Sequence, residues 1–131
     1  MKPFLEILER IRNIQFVENF DLIVAVANGG IIPAALLNQR LGVEMQLLHV
    51  NLRDINQRPL YDRPQLLQPI NFEFRDKNIL LVEDRVKSGA SLAFARSLLE
   101  TEAELVRTFA VNGKADYSLY DEACFRFPWI I

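Results

Sequence analysis

Runs of consecutive apolar residues alternate along this chain with stretches of helical periodicity. Residues 22–26 and 79–82 show no alternation of polar and apolar positions, which is typical of strands buried on both faces. Residues 43–50 and 105–111 form two further apolar runs of strand length. The pattern therefore predicts at least four strands of one sheet.

Apolar residues at helical spacing lie between these runs. Pro3 begins an amphipathic helix over residues 3–14, and residues 31–41 form a second helix that Gly42 ends. A third helix follows the run at 79–82, with apolar positions at Leu92, Ala95, Leu98 and Leu99. Repeated strand–helix–strand units predict right-handed crossovers and a mainly parallel, twisted sheet with helices on both faces. We expect an α/β fold in a single domain, residues 1–131.

Two segments depart from this pattern. Residues 51–77 combine prolines with several arginines and lysines, and a long irregular insertion in a compact domain is usually functional or disordered. Their apolar residues suggest that the insertion partly packs back as strands: Leu66, Leu67, Ile70, Phe72 and Phe74. Residues 114–131 alternate only loosely and predict a small hood over the carboxyl edge of the sheet, with Phe127 and Trp129 in its core.

Composition excludes several classes of function. The formal net charge of -2 and the absence of a basic run give no electrostatic case for nucleic acid. The apolar runs are far shorter than the roughly 20 residues that span a bilayer, and the first residues lack the apolar core of a secretory signal. A single cysteine and a single histidine, His49, exclude an internal disulfide and a His/Cys metal cluster. We expect a cytoplasmic protein in which His49 is structural.

Chemically active residue types concentrate where the run at 79–82 ends. Glu83 and Asp84 come next, and the loop Ser88-Gly89-Ala90-Ser91 precedes the third helix. A helix start offers unpaired N–H groups and partial positive charge, so this loop suits an anion, while the carboxylates suit hydroxyls and a divalent cation. The pattern indicates a ribose 5-phosphate with Mg²⁺. The alternative is that Ser88 caps the helix and that the carboxylates are solvated loop residues.

Three stretches resemble one known family. Residues 79–91, I-L-L-V-E-D-R-V-K-S-G-A-S, resemble the motif by which type I phosphoribosyltransferases bind phosphoribosyl pyrophosphate. Residues 24–34, V-A-V-A-N-G-G-I-I-P-A, resemble the pyrophosphate loop of that family. Residues 114–117 and 127–129 resemble the tail of its xanthine-guanine (6-oxopurine) branch. The resemblance covers most of the chain and implies the type I phosphoribosyltransferase fold, with 51–77 as a flexible flap over the active site.

The resemblance implies a role for each matching residue. Glu83 and Asp84 would hold the ribose hydroxyls and Mg²⁺, directly or through its waters, and would form the catalytic group together with Lys87. The pyrophosphate would lie at Asn28, Gly29 and Gly30, for which a plain strand-to-helix turn is the alternative. The 5′-phosphate would lie in the loop formed by Lys87, Ser88, Gly89, Ala90 and Ser91.

Several residues differ from the 6-oxopurine branch, mostly where the base is expected. Lys87 stands in place of an aspartate that handles a purine proton, and a lysine accepts a proton only if its pKa is strongly depressed. Asn112 replaces a lysine that contacts the exocyclic oxygen. Cys124 replaces the stacking aromatic and, with Phe125, completes the expected base pocket, although core packing is an alternative for Cys124. Asn28 replaces a cation of the pyrophosphate loop.

The leading hypothesis is therefore an enzyme of the purine-salvage type. It would bind 5-phosphoribosyl 1-pyrophosphate with Mg²⁺ and transfer the phosphoribosyl group to a nitrogenous base through an oxocarbenium-like transition state, releasing pyrophosphate. The second hypothesis is an inactive module that binds phosphoribosyl pyrophosphate or a nucleoside monophosphate as a sensor or regulator. The resemblance also implies a homo-oligomer, most simply a dimer, with neither nucleic acid nor membrane as a partner.

Overall fold

A mainly parallel sheet organises the molecule. The computed structural model describes residues 2–51 and 64–131. Within these ranges the strands are β1 (Leu22–Ala27), β2 (Glu44–Asn51), β3 (Gln65–Leu66), β4 (Asn78–Arg85), β5 (Leu105–Asn112) and β6 (Tyr117–Tyr120). They form one sheet in the order β3-β2-β1-β4-β5-β6, and all neighbours are parallel except β3, which runs antiparallel to β2.

Helices cover both faces of this sheet, which explains why the central strands are apolar without alternation. The helices are α1 (Phe4–Asn13), α2 (Ile31–Leu41) and α3 (Ala90–Leu99). In β1, Ile23 and Ala25 belong to the core on the side of α1 and α2, whereas Leu22 and Val24 belong to the core on the side of α3. The expected α/β fold, a mainly parallel sheet with helices on both faces, is confirmed.

The start and end of two helices follow the sequence closely. Pro3 occupies the N-cap position of α1, and α2 ends at Gly42, whose φ of +67° lies in the left-handed region that glycine adopts readily. The predicted helices at 3–14 and 31–41 are thus present, the first shortened by one residue at each end.

The strand order reverses its direction of winding between β1 and β4. From β1 the chain crosses through α2 to β2 on one side, and from β4 it crosses through α3 to β5 on the other. Residues Leu22 and Ala25 of β1 pair with Ile79 and Val82 of β4, so the two strands end side by side. In sheets of this kind, the crevice at such a switch point is where ligands bind.

Strand β4 is longer than the apolar run predicts. It continues through Glu83 and Asp84 to Arg85, because its ladder with β5 also continues: Glu83 pairs with Ala110 and Arg85 with Asn112. The alternative of solvated loop carboxylates is therefore wrong. Both acidic residues are half-buried members of a strand.

The insertion at 51–77 falls partly outside the described residues, because the expected flap includes 52–63. Of the rest, only Gln65–Leu66 forms a strand, pairing with Val50 and Asn51 of β2. Phe74 is buried, and Phe72 and Ile70 pack against the same core as α3. The prediction that this segment packs back is confirmed for these residues, although they do so largely without strand structure.

The C-terminal segment adds an edge to the sheet before it turns across it. Tyr117–Tyr120 pairs with β5 as strand β6, and Tyr117 donates a hydrogen bond to Glu18. The Glu18 carboxylate also accepts from Arg107 Nε at 2.8 Å. The hood expected over 114–131 stays a prediction, and its first part is this strand.

Among the described helices, none is both long and apolar enough to cross a bilayer.

Candidate active site

A cavity of about 1100 Å³ opens at the carboxyl ends of β1, β2 and β4. It therefore lies at the reversal in strand order. Four stretches line it, residues 26–29, 49–50, 83–92 and 124–127, together with Leu67 and Ile130. The two loops expected to bind pyrophosphate and phosphate thus contribute to one cavity.

Both residues of the acidic pair line this cavity. The backbone N–H of Asp84 donates to Glu83 Oε1 at 3.1 Å, and the N–H of Arg85 donates to Asp84 Oδ1 at 2.6 Å. Burial, followed by the negative charge of Asp84, raises the pKa of Glu83 well above its usual value. Two carboxylates held this closely repel each other unless a cation or hydrogen-bond donors neutralise part of their charge. The pair therefore suits a divalent cation or the hydroxyl groups of a ligand.

The loop after β1 touches the acidic pair directly. A Cβ atom on Gly29 would lie 2.5 Å from Asp84 Oδ1, and one on Gly30 would lie 2.2 Å from the carbonyl oxygen of Val82. Only glycine permits both approaches. The peptide bond between Ala27 and Asn28 is cis, and Asn28 and Gly29 both line the cavity.

The loop before α3 lines the same cavity as the carboxylates. Helix α3 begins at Ala90, with Gly89 at the N-cap position in the left-handed region at φ +83°. Ser88 is therefore not the N-cap, although its Oγ accepts from the Ala90 N–H at 3.2 Å. Lys87 and Ser88 are exposed, and Ser91 in the first turn lines the cavity. No acidic residue lies in that turn to oppose an anion.

The three residues expected to form a base pocket are not brought together. Cys124 and Phe125 line the cavity, and Cys124 is exposed, so core packing of its thiol is wrong. Asn112 is only 3% exposed and does not line the cavity. Its Nδ2 donates to the carbonyl oxygen of Glu122 at 3.1 Å, and its Oδ1 accepts from the Glu122 N–H at 3.0 Å. The assignment of Asn112 to a base pocket needs correction, because this amide anchors a backbone turn.

The cavity lining includes residues that the sequence pattern did not point to, among them Arg85 and His49. Arg85 follows the acidic pair in β4, and its guanidinium lies over the ring of Phe127. His49, which we expected to be structural, stands beside Ala27 in the β1–β2 register at the same edge. A charged residue at the end of a buried strand was the available signal for Arg85.

The model of the phosphoribosyl transferase domain matches residues 6–128, which include the stretches 24–34 and 79–91. No curated protein sequence matches it significantly.

Solved structures show the same fold at low identity. A purine phosphoribosyltransferase from Pyrococcus horikoshii OT3 is 22% identical, with a TM-score of 0.76 over 98% of this chain and 91% of that one. A hypothetical protein from Neisseria gonorrhoeae with bound ppGpp is 19% identical, with a TM-score of 0.76 over 99% and 88% of the two chains. A hypoxanthine phosphoribosyltransferase from Staphylococcus aureus is 13% identical, with a TM-score of 0.72 over 88% and 72%.

Proposed function

We propose that this protein, which belongs to the phosphoribosyl transferase domain family, binds 5-phosphoribosyl 1-pyrophosphate together with Mg²⁺. We further propose that it transfers the phosphoribosyl group to a nitrogenous base and releases pyrophosphate. The family match supports phosphoribosyltransferase function in general, and the site described above supports this more specific assignment.

One observation carries the proposal. The carboxylate of Asp84 lies against Gly29, at a separation that only a residue without a side chain allows, and the anion loop at 87–91 leaves the same strand. A ligand with a diol flanked by two phosphate groups could therefore contact both loops and both carboxylates at once. Phosphoribosyl pyrophosphate has this arrangement of groups.

Different groups of the protein would bind different parts of the ligand. The first-turn N–H groups of α3, with the hydroxyls of Ser88 and Ser91, would hold the 5′-phosphate. Asn28 and the backbone of Gly29 would contact the pyrophosphate with neutral donors. Because Asn28 carries no charge, the pyrophosphate depends more heavily on Mg²⁺ than it would beside an arginine.

The carboxylates fit the metal that the family implies. Mg²⁺ prefers oxygen ligands and is usually held by one or two carboxylates plus substrate phosphates. Glu83 and Asp84 supply those carboxylates, and no cluster of three or more metal-binding side chains occurs in the described ranges. Mg²⁺ would neutralise charge on the leaving pyrophosphate. The dimeric state and the cytoplasmic location stay predictions.

A second candidate is a nucleotide-binding module without transferase activity. The exposed Lys87 stands where an acid would handle the proton of a purine, and Asn112 is engaged in a turn. The similar structure from Neisseria gonorrhoeae holds ppGpp. These observations favour binding of a phosphorylated nucleoside even in the absence of transfer.

Calorimetry would test the proposal and separate the two candidates. We expect phosphoribosyl pyrophosphate to bind, and to bind more tightly with Mg²⁺. Asp84→Asn should weaken this binding about tenfold or more, chiefly when Mg²⁺ is present, because the substitution removes a charged acceptor. Asp121→Asn is the matched control, since Asp121 is exposed and does not line the cavity.

The outcomes distinguish the candidates clearly. If Asp84→Asn binds the Mg²⁺ complex as tightly as the parent, the carboxylates have no role in the ligand site. If phosphoribosyl pyrophosphate binds but no base in a panel releases pyrophosphate, the protein is the binding module. Release of pyrophosphate with one base establishes the transferase and its acceptor.

A further inference from the structure

Arg85 places a planar cation in the wall of the cavity. It is the last residue of β4, directly after the acidic pair, and lines the cavity together with Cys124 and Phe125. No carboxylate among residues 2–51 and 64–131 forms a salt bridge with it. Its charge is therefore not neutralised by a carboxylate of the described chain.

An aromatic stack supports this cation. The rings of Phe127 and Trp129 are stacked, with centroids 5.0 Å apart and planes 10° apart. The guanidinium carbon of Arg85 lies over the ring of Phe127, 4.7 Å from its centroid. Phe127 also lines the cavity but is only 1% exposed, so its ring offers little surface to a ligand, and Trp129 does not line the cavity. Arg85 is the member of this group that a ligand can reach.

Backbone contacts hold the guanidinium in place. Arg85 Nη2 donates to the carbonyl oxygen of Phe125, while Nε is buried without a hydrogen-bond partner among the described residues. Phe125 packs edge-on against both Phe127 and Tyr120, which fixes that carbonyl in turn. Arg85 therefore loses little conformational freedom when a ligand meets it.

We propose that the guanidinium of Arg85 is the surface on which the base of the ligand stacks. Nucleic-acid bases stack on arginine planes as they do on aromatic rings, and a cation favours an electron-rich or anionic ring. Cys124, at the position expected for a stacking aromatic, offers only a small side chain. Arg85 would supply the missing platform and select planar heterocycles of high electron density. This inference rests on the proposed nucleotide site.

The test compares two ligands that differ only by the base. Guanosine 5′-monophosphate and ribose 5-phosphate would be titrated by calorimetry into the parent, Arg85→Lys and Arg85→Tyr. Stacking on a side chain is worth about 1–3 kcal/mol per base, so Arg85→Lys should weaken the nucleotide about fivefold or more. Ribose 5-phosphate should bind unchanged. Arg85→Tyr, planar but neutral, should retain more nucleotide affinity than Arg85→Lys.

Arg10→Lys is the matched control. The Arg10 guanidinium lies 4.0 Å from the ring centroid of Tyr120, and its Nη1 donates to the carbonyl oxygen of Leu119 at 2.7 Å, away from the cavity lining. Arg10 makes the same kinds of contact as Arg85 but lies outside the cavity lining. The Arg10→Lys variant should therefore bind guanosine 5′-monophosphate and ribose 5-phosphate with parental affinity. Thermal melting of each variant would verify that it is folded.

Each outcome bears on one proposal or on both. An equal loss for the two ligands in Arg85→Lys, or no loss for the nucleotide, overturns the role of Arg85 and leaves the nucleotide site intact. Failure of the parent to bind either ligand overturns the proposed function and this inference with it. A loss confined to the nucleotide, absent in Arg10→Lys, supports the stacking role.

Discussion

The two halves of the cavity are built in different ways. The ribose-phosphate half consists of short contiguous stretches, the end of β4 with its acidic pair and two loops that lead directly into helices, at 28–30 and 86–89. The base half consists of the C-terminal segment, which contacts distant parts of the chain. Asn112 bonds to Glu122, and Arg85 to Phe125, across 10 and 40 residues. Local backbone geometry forms the first half, and long-range side-chain contacts form the second.

This difference shows how such a site can change its ligand. Substitutions in 121–127 can alter the base half while leaving the loops that hold phosphate untouched. A substitution at Gly30 cannot do the same, because its Cβ would lie 2.2 Å from the carbonyl oxygen of Val82 and 2.9 Å from that of Val26, so the backbone would have to move. Two departures from the 6-oxopurine pattern agree with this division, because Cys124 lies within 121–127 and Asn112 bonds to Glu122 in the same stretch. Lys87, by contrast, lies in the loop before α3.

The largest expected effect concerns the base half. We predict that turnover with hypoxanthine, guanine or xanthine is several orders of magnitude below that of an ordinary 6-oxopurine enzyme. Lys87 stands in place of the carboxylate that handles the purine proton, and general acid–base help is typically worth a factor of about 10²–10⁴. Lys87→Asp should raise this turnover about 100-fold or more, measured by release of pyrophosphate. Lys114→Asp makes the same charge change outside the cavity and should have no effect.

Robust turnover of guanine or hypoxanthine by the unmodified protein would contradict the comparison. It would mean that the base half is complete without the residues that the 6-oxopurine branch uses. Asn112 should be left unchanged in these variants, since its amide holds the turn at Glu122.

The next effect isolates the ribose-phosphate half. Ser91→Ala should weaken binding of a nucleoside 5′-monophosphate about tenfold or more, because a hydrogen bond to a charged group contributes about 1.5–3 kcal/mol. Binding of the corresponding nucleoside should be unchanged in calorimetry. Ser97→Ala is the control on the same helix, since the Ser97 hydroxyl is exposed and bonded to the carbonyl oxygen of Phe94. An equal loss for nucleoside and nucleotide would reject the phosphate assignment.

A smaller effect on stability and on nucleotide binding should arise from a substitution that disturbs only the base half. Asn112→Ala removes both side-chain bonds to the Glu122 backbone, so we expect it to lower the free energy of unfolding by about 1–3 kcal/mol. Chemical denaturation would measure this change, with Asn13→Ala as the control because Asn13 is exposed. The variant should also bind a nucleoside monophosphate more weakly while binding ribose 5-phosphate normally. Parental stability would show that the turn does not depend on Asn112.

The smallest effect lies outside both halves, at the edge of the sheet. Burial would raise the pKa of Glu18, but hydrogen bonds from Tyr117 and Arg107 outweigh it and lower that pKa. A lowered pKa means that the unfolded state takes up the proton first. The contribution of Glu18 to stability is therefore present above its ordinary pKa and is lost as pH falls through the lowered one.

Glu18→Gln should accordingly reduce the free energy of unfolding at neutral pH and lose less stability on acidification than the parent. Denaturation at a series of pH values would measure both changes. Ligand binding should stay at the parental value. A pH profile parallel to that of the parent would contradict this account of Glu18.

The sequence predicts the framework well because the framework depends on local patterns. Continuous apolar runs identify β1 and β4, and Gly42 marks the end of α2 by its left-handed backbone. The sequence also places the loops at 27–30 and 83–91 at one edge, since both follow parallel strands. In the structure, residues of both loops line one cavity.

The remaining features depend on pairings that no local pattern encodes. Strand β4 reaches Arg85 because Ala110 and Asn112 of β5 continue the ladder. Its last three residues are charged, so the apolar run alone predicts an earlier end. The bonding of Asn112 to Glu122 and the contact of Arg85 with Phe127 join residues far apart in sequence. Residue type indicates that each can bond, but only the fold determines the partner.

The stack beneath Arg85 has an optical consequence. Trp129 is the single tryptophan of the chain, and it lies directly on Phe127, over which Arg85 is placed. Its emission thus comes from one known position behind the base half, with no second indole to obscure it. Intrinsic fluorescence should respond to a ligand that stacks on Arg85 and stay constant for one that fills only the phosphate loops, so the protein carries its own reporter of which half is occupied.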